Sequence, residues 1–165
     1  MKKFTIIFAL LMIALSADTA FAQDQKQKDR QMLIQAARFL EEKPFDKQAK
    51  DVRAWAVKYA SDTEEVTVIV CGGTASPLLD KKNKFGSELI GQYLIAMTAF
   101  KLENPAKIKD ENAAQLAGLE SVLKTYETML KENQKAKSAK IDELLAKRND
   151  GTLAKYVADA DCGKK

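Results

Sequence analysis

One stretch constrains the fold more than any other. Residues 85–103, Phe-Gly-Ser-Glu-Leu-Ile-Gly-Gln-Tyr-Leu-Ile-Ala-Met-Thr-Ala-Phe-Lys-Leu-Glu, read as a helix that is apolar on nearly every side. At about 100° per residue, Leu89, Tyr93, Met97 and Phe100 fall along one strip with Ile90 and Leu94 beside it. A second, smaller patch carries Ile95 and Leu102, while Gly91, Ala96 and Ala99 let neighbouring backbones come close. A helix apolar this far round has to be covered from more than one direction. The expectation is therefore an all-α fold: a compact bundle of five or six helices around a central apolar helix (about 85–103), with one short extended segment (about 66–71). The expected core joins Leu89, Tyr93, Leu94, Met97 and Phe100 to Trp55, Leu119, Leu123 and Tyr126.

The first 22 residues have the three parts of a secretory signal. Lys2 and Lys3 form a charged head, Phe4 to Leu15 an apolar run, and Ala20-Phe21-Ala22 a small-residue cleavage site. The run is shorter than the roughly 20 residues a bilayer needs, so cleavage between Ala22 and Gln23 is expected, with a periodic gap of polar residues, 23–28, as a flexible N-terminal arm. No later run is long and apolar enough to span a membrane. Taking 22 residues, two lysines and one aspartate off the 165-residue chain leaves 143 residues at about +3, the size of one domain, expected over 29–165. Acids and bases are interleaved rather than gathered into a stripe, which argues against nucleic acid as a partner.

Along the chain, Asp29 is placed to cap a helix with Leu33, Ala36, Ala37 and Leu40 on one face, ended by Pro44. Asp46 is placed to cap a second helix, to about Ser61, with Val52, Trp55, Ala56 and Tyr59 as its buried stripe. Val66-Thr-Val-Ile-Val70 is β-like, but nothing else in the mature chain resembles a partner strand, so the run is either an extended segment packed on helices, the reading adopted, or the last turns of a helix stopped by Gly72-Gly73. Thr74 to Lys84 reads as a loop. Asn104-Pro105 opens a long helix to about Gln134, carrying the seam Leu116, Leu119, Leu123, Tyr126 and Leu130. Ser138 is placed to cap a short helix with Ile141, Leu144 and Leu145; Asn149-Asp-Gly151 is a turn, and Leu153, Tyr156 and Val157 lie on a last short helix. No fixed period repeats down the chain, so a solenoid is not expected.

Histidine is absent, which removes Ser-His-Asp and Cys-His nucleophile pairs, His-containing zinc sites and His-ligated haem. The carboxylate pairs Glu41/Glu42, Glu64/Glu65 and Asp110/Glu111 read as solvated charge or helix-dipole complement. No catalytic residue, cofactor site or metal site is assigned. Cys71 and Cys162, in a chain bound for an oxidising compartment, are expected to form one disulfide. The entropic model gives such a loop roughly 4–5 kcal/mol as an upper value.

Three functions fit these residues. The reading adopted is an exported helical domain of the bacterial envelope, periplasmic or secreted and monomeric, that binds an unidentified protein or small molecule rather than catalysing a reaction. One alternative is a periplasmic stress or chaperone-like protein. The other is an enzyme using carboxylates or lysine in a pocket beside the central helix, with Tyr93 or Thr98 as polar groups within it.

Overall fold

The computed structural model describes residues 23–160 and Cys162, so the signal segment and its cleavage point lie outside the described residues. Residues 23–42 are helical (α1), followed by α2 (Ala49–Asp62), α3 (Gly72–Ala75), α4 (Gly86–Glu103), a 3-10 turn (Pro105–Lys107), α5 (Glu111–Glu132), a second 3-10 turn (Gln134–Ala136), α6 (Ala139–Asn149) and α7 (Leu153–Asp159). The described residues contain no strand, and the fold is an all-α bundle. None of the described helices is long and apolar enough to cross a membrane. Two compact units divide at Met32/Leu33. In the first, residues 23–32 are helical and carry two contacts of one-turn spacing, Lys28 Nζ to Asp24 Oδ2 at 2.6 Å and Gln25 Nε2 to Asp29 Oδ1 at 2.8 Å. Asp29 therefore does not cap α1: its carboxylate is taken by Gln25 inside the helix, and residues 23–28 are helical.

Within the second unit, α4 is the helix buried on most of its circumference, because its two apolar patches face two separate clusters. Leu89, Tyr93 and Met97 pack with Leu119, Val122, Leu123, Tyr126 and Met129 of α5, and with residues of α6 and α7. Ile95, Ala99 and Leu102 pack with Leu33, Ala36, Ala37 and Leu40 of α1 and with Ala49 and Ala56 of α2. Three expected core residues lie elsewhere. Trp55 is half-buried at the edge of the second cluster, stacked on Tyr59 with ring centroids 5.7 Å apart, because α2 buries only its alanines. Leu94 is half-buried between the two buried faces of α4, and Phe100 is half-buried near its end.

Several boundaries differ from the sequence reading for local reasons. Asp46 accepts from Gln48 N in a turn before α2, which opens at Ala49 rather than at Asp46. The helix expected from Pro105 breaks, because Asp110 accepts from Ala113 N and caps a new start, leaving Pro105–Lys107 as a 3-10 turn. Ser138 is at the α6 N-cap position but makes no side-chain cap; its amide donates instead to the Tyr126 hydroxyl at 3.0 Å. The loop expected from Thr74 begins with the single turn α3, the one helix beyond the expected six. Gly151 turns the chain between α6 and α7 at φ 77°, where a side chain would be strained.

At Gly118 of α5 the side chains of α4 pack directly against the helix backbone. A Cβ there would sit 2.6 Å from Tyr93 Cδ2 and 2.8 Å from Met97 Cγ. Gly118→Ala gains helix propensity of about 1 kcal/mol but forces apart two fully buried side chains, so a net loss of roughly 1–2 kcal/mol is expected. Urea unfolding of the two proteins measures it; equal or greater stability of the variant would show that the helices have room to spare.

Between α5 and α6, Arg148 grips Glu127 at two points, Nη1 to Oε2 at 2.9 Å and Nη2 to Oε1 at 2.7 Å. Hydrogen bonding to the guanidinium holds the Glu127 carboxyl below its ordinary range, against a smaller opposing effect of burial. A carboxyl with a lowered folded pKa stabilises the fold above its unfolded pKa and loses that contribution as pH falls through the folded value. Glu127→Gln is expected to cost up to about 1 kcal/mol at neutral pH, since the pair is partly exposed. The difference between the two proteins should close as pH falls below roughly 4. Unfolding curves across pH 2–7 test this, and a gap of constant size would assign the loss to packing instead of charge.

Candidate functional site

Where α1, α4 and α5 meet, small residues leave space. Ala37 of α1, Ala96 and Ala99 of α4, and Ala117 and Ser121 of α5 floor a cleft of about 240 Å³, with Ile34 and Phe100 as its larger apolar walls. Phe100 is thus a cleft wall and not a core residue. Each helix also contributes charge to the rim. Arg38 Nη2 meets Glu103 Oε1 at 2.6 Å and Lys124 Nζ meets Glu41 Oε2 at 3.8 Å, so two ion pairs link α1 to the other helices, and Glu120 adds a further carboxylate. Directly behind the floor lies the buried amide of Gln92. Its Nε2 donates to Ala37 O at 2.9 Å and to Ser121 Oγ at 2.8 Å, while its Oε1 is buried without a partner among the described residues.

Arg53 Nε is also buried without a hydrogen-bond partner among the described residues, whereas the polar groups around Tyr93 and Tyr126 are engaged in holding the fold. Thr74 Oγ1 lies 2.9 Å from both the Tyr93 hydroxyl and Gln115 Oε1, the Tyr93 hydroxyl also donates to Gln115 Oε1, and Gln115 Nε2 donates to Ile69 O. Burial pushes the Tyr93 phenol up to about 12, so it is a neutral hydrogen-bonding group at neutral pH. The Tyr126 phenol, also pushed up to about 12 by burial, donates to Asp142 Oδ1 at 2.7 Å. Thr98 Oγ1 donates to Leu94 O within its own helix. Neither Tyr93 nor Thr98 lines the cleft. Of the acidic pairs singled out in the sequence, Glu41 reaches the rim; Asp110 caps α5, Glu111 is bound by Lys101, and Glu65 accepts from the Tyr59 hydroxyl.

Cys71 and Cys162 are joined, with Cα atoms 5.7 Å apart. The bond fixes the end of the chain against the start of α3, where the Tyr156 hydroxyl donates to Gly73 O at 3.0 Å. A second, more open groove of about 420 Å³ lies nearby between Ser76–Pro77, Asp80 and the residues Lys140, Glu143, Leu144, Lys147 and Tyr156. Its charges are largely engaged, with Lys140 on Glu143 and Lys147 Nζ 5.7 Å from the Tyr156 ring centroid. The cleft of α1, α4 and α5 was not visible as a site in the sequence. Its signal was the alanine spacing on α4 and α5, which reads equally as close helix packing. Comparison with protein-family models, with curated proteins and with solved structures finds no match to this chain.

Proposed function

We propose that the chain is an exported, non-catalytic binding domain of the bacterial envelope, and that its working surface is the cleft between α1, α4 and α5. The observation that carries this reading is the cleft's combination of an apolar floor, rim charges of both signs and, behind it, a buried carbonyl, Gln92 Oε1, with no partner among the described residues. A space of about 240 Å³ has the volume of about eight waters, which suits a small molecule rather than a protein helix. Arg38 and Lys124 complement a carboxylate, and Glu41, Glu103 and Glu120 an ammonium group, so the favoured ligand is a small zwitterion with an apolar body, an amino acid or dipeptide. Specificity in such sites comes from a few placed polar groups on an otherwise apolar wall.

Titration of the protein with a panel of Xaa-Ala dipeptides, followed by amide NMR shifts, tests the assignment. Saturable shifts are expected at Ala37, Ala99 and Ser121, and Ala117→Phe, which fills the cleft from a half-buried position, should abolish them while the folded spectrum is kept. Retained binding by that variant, or no saturation by any dipeptide at about 10 mM, would overturn the cleft reading. Export rests on the composition of residues 1–22. Intact mass of the protein recovered from its host should correspond to a chain beginning at Gln23, and recovery of the full 165-residue chain from the membrane fraction would defeat it.

A further inference from the structure

Two lysine-rich stretches that are far apart in the sequence, 81–84 and 131–147, meet at one end of the bundle. Helices α4 and α5 run antiparallel: Lys101 is bonded to Glu111, and one helix further along Tyr93 lies against Gly118 of the other, so the start of α4 lies with the end of α5. The loop that enters α4 therefore comes up beside the chain that leaves α5, and Pro77 and Asp80 share a groove with Lys140 and Lys147. Residues 77–84 and 131–147 together hold eight lysines against four carboxylates, whereas the rest of the chain beyond residue 22 holds 17 bases against 18 acids. Charge that is interleaved in the sequence is thus gathered by the fold. Lys140 is paired with Glu143, and Lys131 acts on Glu127 one turn before it. Lys81, Lys82, Lys84, Lys135 and Lys137 are exposed and form no ion pair among the described residues.

The same end carries Leu79, at 60% exposure the most exposed large apolar side chain among the described residues. The turn that presents it is braced. Leu78 is fully buried, Asn83 is buried and donates to Leu78 O at 3.3 Å while accepting from Phe85 N at 3.1 Å, and Asp80 Oδ1 accepts from Lys82 N at 2.9 Å. A Cβ at Gly86 would lie 2.8 Å from Leu78 O, so the turn is packed onto the start of α4. An outward leucine followed by Lys81 and Lys82 is therefore a fixed feature of the surface. We infer that this end is a docking face for an anionic lipid bilayer, with Leu79 entering the headgroup region and the lysines lying on the phosphates around it. A lysine near such a surface gains roughly fivefold in partition, and one weak signal does not hold a protein there, so an apolar insertion and a basic surface act together. Other occupants fit worse. A soluble polyanion meets the lysines but gains nothing from Leu79, and a second copy sets like charge against like. Protein interfaces are depleted in lysine at their centre, where this surface has it in excess. None of these residues lines the α1/α4/α5 cleft, so the docking face and the cleft stand or fall separately.

The oxidised protein recovered from its host is sedimented with phosphatidylcholine vesicles, with or without about one third phosphatidylglycerol. Partition is expected to be at least about tenfold stronger with the anionic lipid and to fall at least about fivefold between roughly 50 and 300 mM salt. Two matched pairs of substitutions at exposed lysines locate the face. Lys81→Gln with Lys82→Gln should weaken partition at least about tenfold, whereas Lys107→Gln with Lys109→Gln, the same change of charge where α4 passes to α5 at the opposite end, should alter it by less than about twofold. Leu79→Ser should weaken partition about fivefold and leave binding of inorganic polyphosphate unchanged, with the unfolding midpoint of every variant kept. Equal losses from the two lysine pairs would reduce the effect to net charge and overturn the proposal. Equal partition onto both kinds of vesicle, or none at about 1 mM lipid, would overturn it too. So would partition indifferent to Leu79→Ser, or polyphosphate binding without vesicle binding, either of which gives the lysines to a soluble polyanion. Should Leu79→Ser fail to fold, the lysine pairs still decide.

Discussion

Everything else in this structure depends on α4 being enclosed by two cores at once. A helix buried on both faces cannot leave its polar side chains to water, so each has to find a partner inside the protein. Gln92 reaches Ala37 of α1 and Ser121 of α5. Tyr93 reaches Thr74 of α3 and Gln115 of α5. Lys101 reaches Thr67 and Glu111. These three side chains tie α4 to α1, α3, α5 and the segment 66–70. The polar groups of the central helix thus specify where the outlying pieces go, while the apolar groups supply most of the stabilisation.

Lys101 shows how demanding that arrangement is. A charged ammonium at 1% exposure would be strongly destabilising by itself. It is offset by the Glu111 carboxylate and by a carbonyl, and both partners exist because of neighbouring features. Glu111 is the first residue of α5, positioned by the Asp110 cap. The carbonyl belongs to a segment that cannot turn away into a helix, because five consecutive residues that are all β-branched disfavour one. The break at Asp110, the buried lysine and the extended path of 66–70 are three aspects of one local solution.

The central helix was legible in the sequence because an all-round apolar pattern has few structural readings, and the pairing with α5 was legible because Leu119, Leu123 and Tyr126 repeat at helical spacing. The disulfide between Cys71 and Cys162 was legible from an even cysteine count and a secretory leader. The roles of Trp55, Leu94 and Phe100 were not. Hydrophobicity ranks them as core, but burial is decided by what faces them: α2 presents alanines inward, Leu94 falls between the two buried faces, and Phe100 borders a cleft whose floor is too small-sided to close over it. The cleft was illegible for the same reason, since alanines on three separate helices become one floor only after packing. Lys101 and Gln115 were equally hidden, as polar residues in amphipathic helices normally read as solvent-facing.

The lone β-like run posed the sharpest conflict in the sequence, because a strand without a second strand has no means of satisfying its backbone. The structure resolves part of that conflict with side chains. Lys101 Nζ and the Gln115 amide act as donors to Thr67 O and Ile69 O, on one edge and with the spacing of alternate residues. A segment held by two buried donors and closed at its end by the Cys71–Cys162 bond keeps its path without a sheet. An isolated five-residue peptide has no such anchors, and a segment too short to form a sheet on its own is ordered here by them.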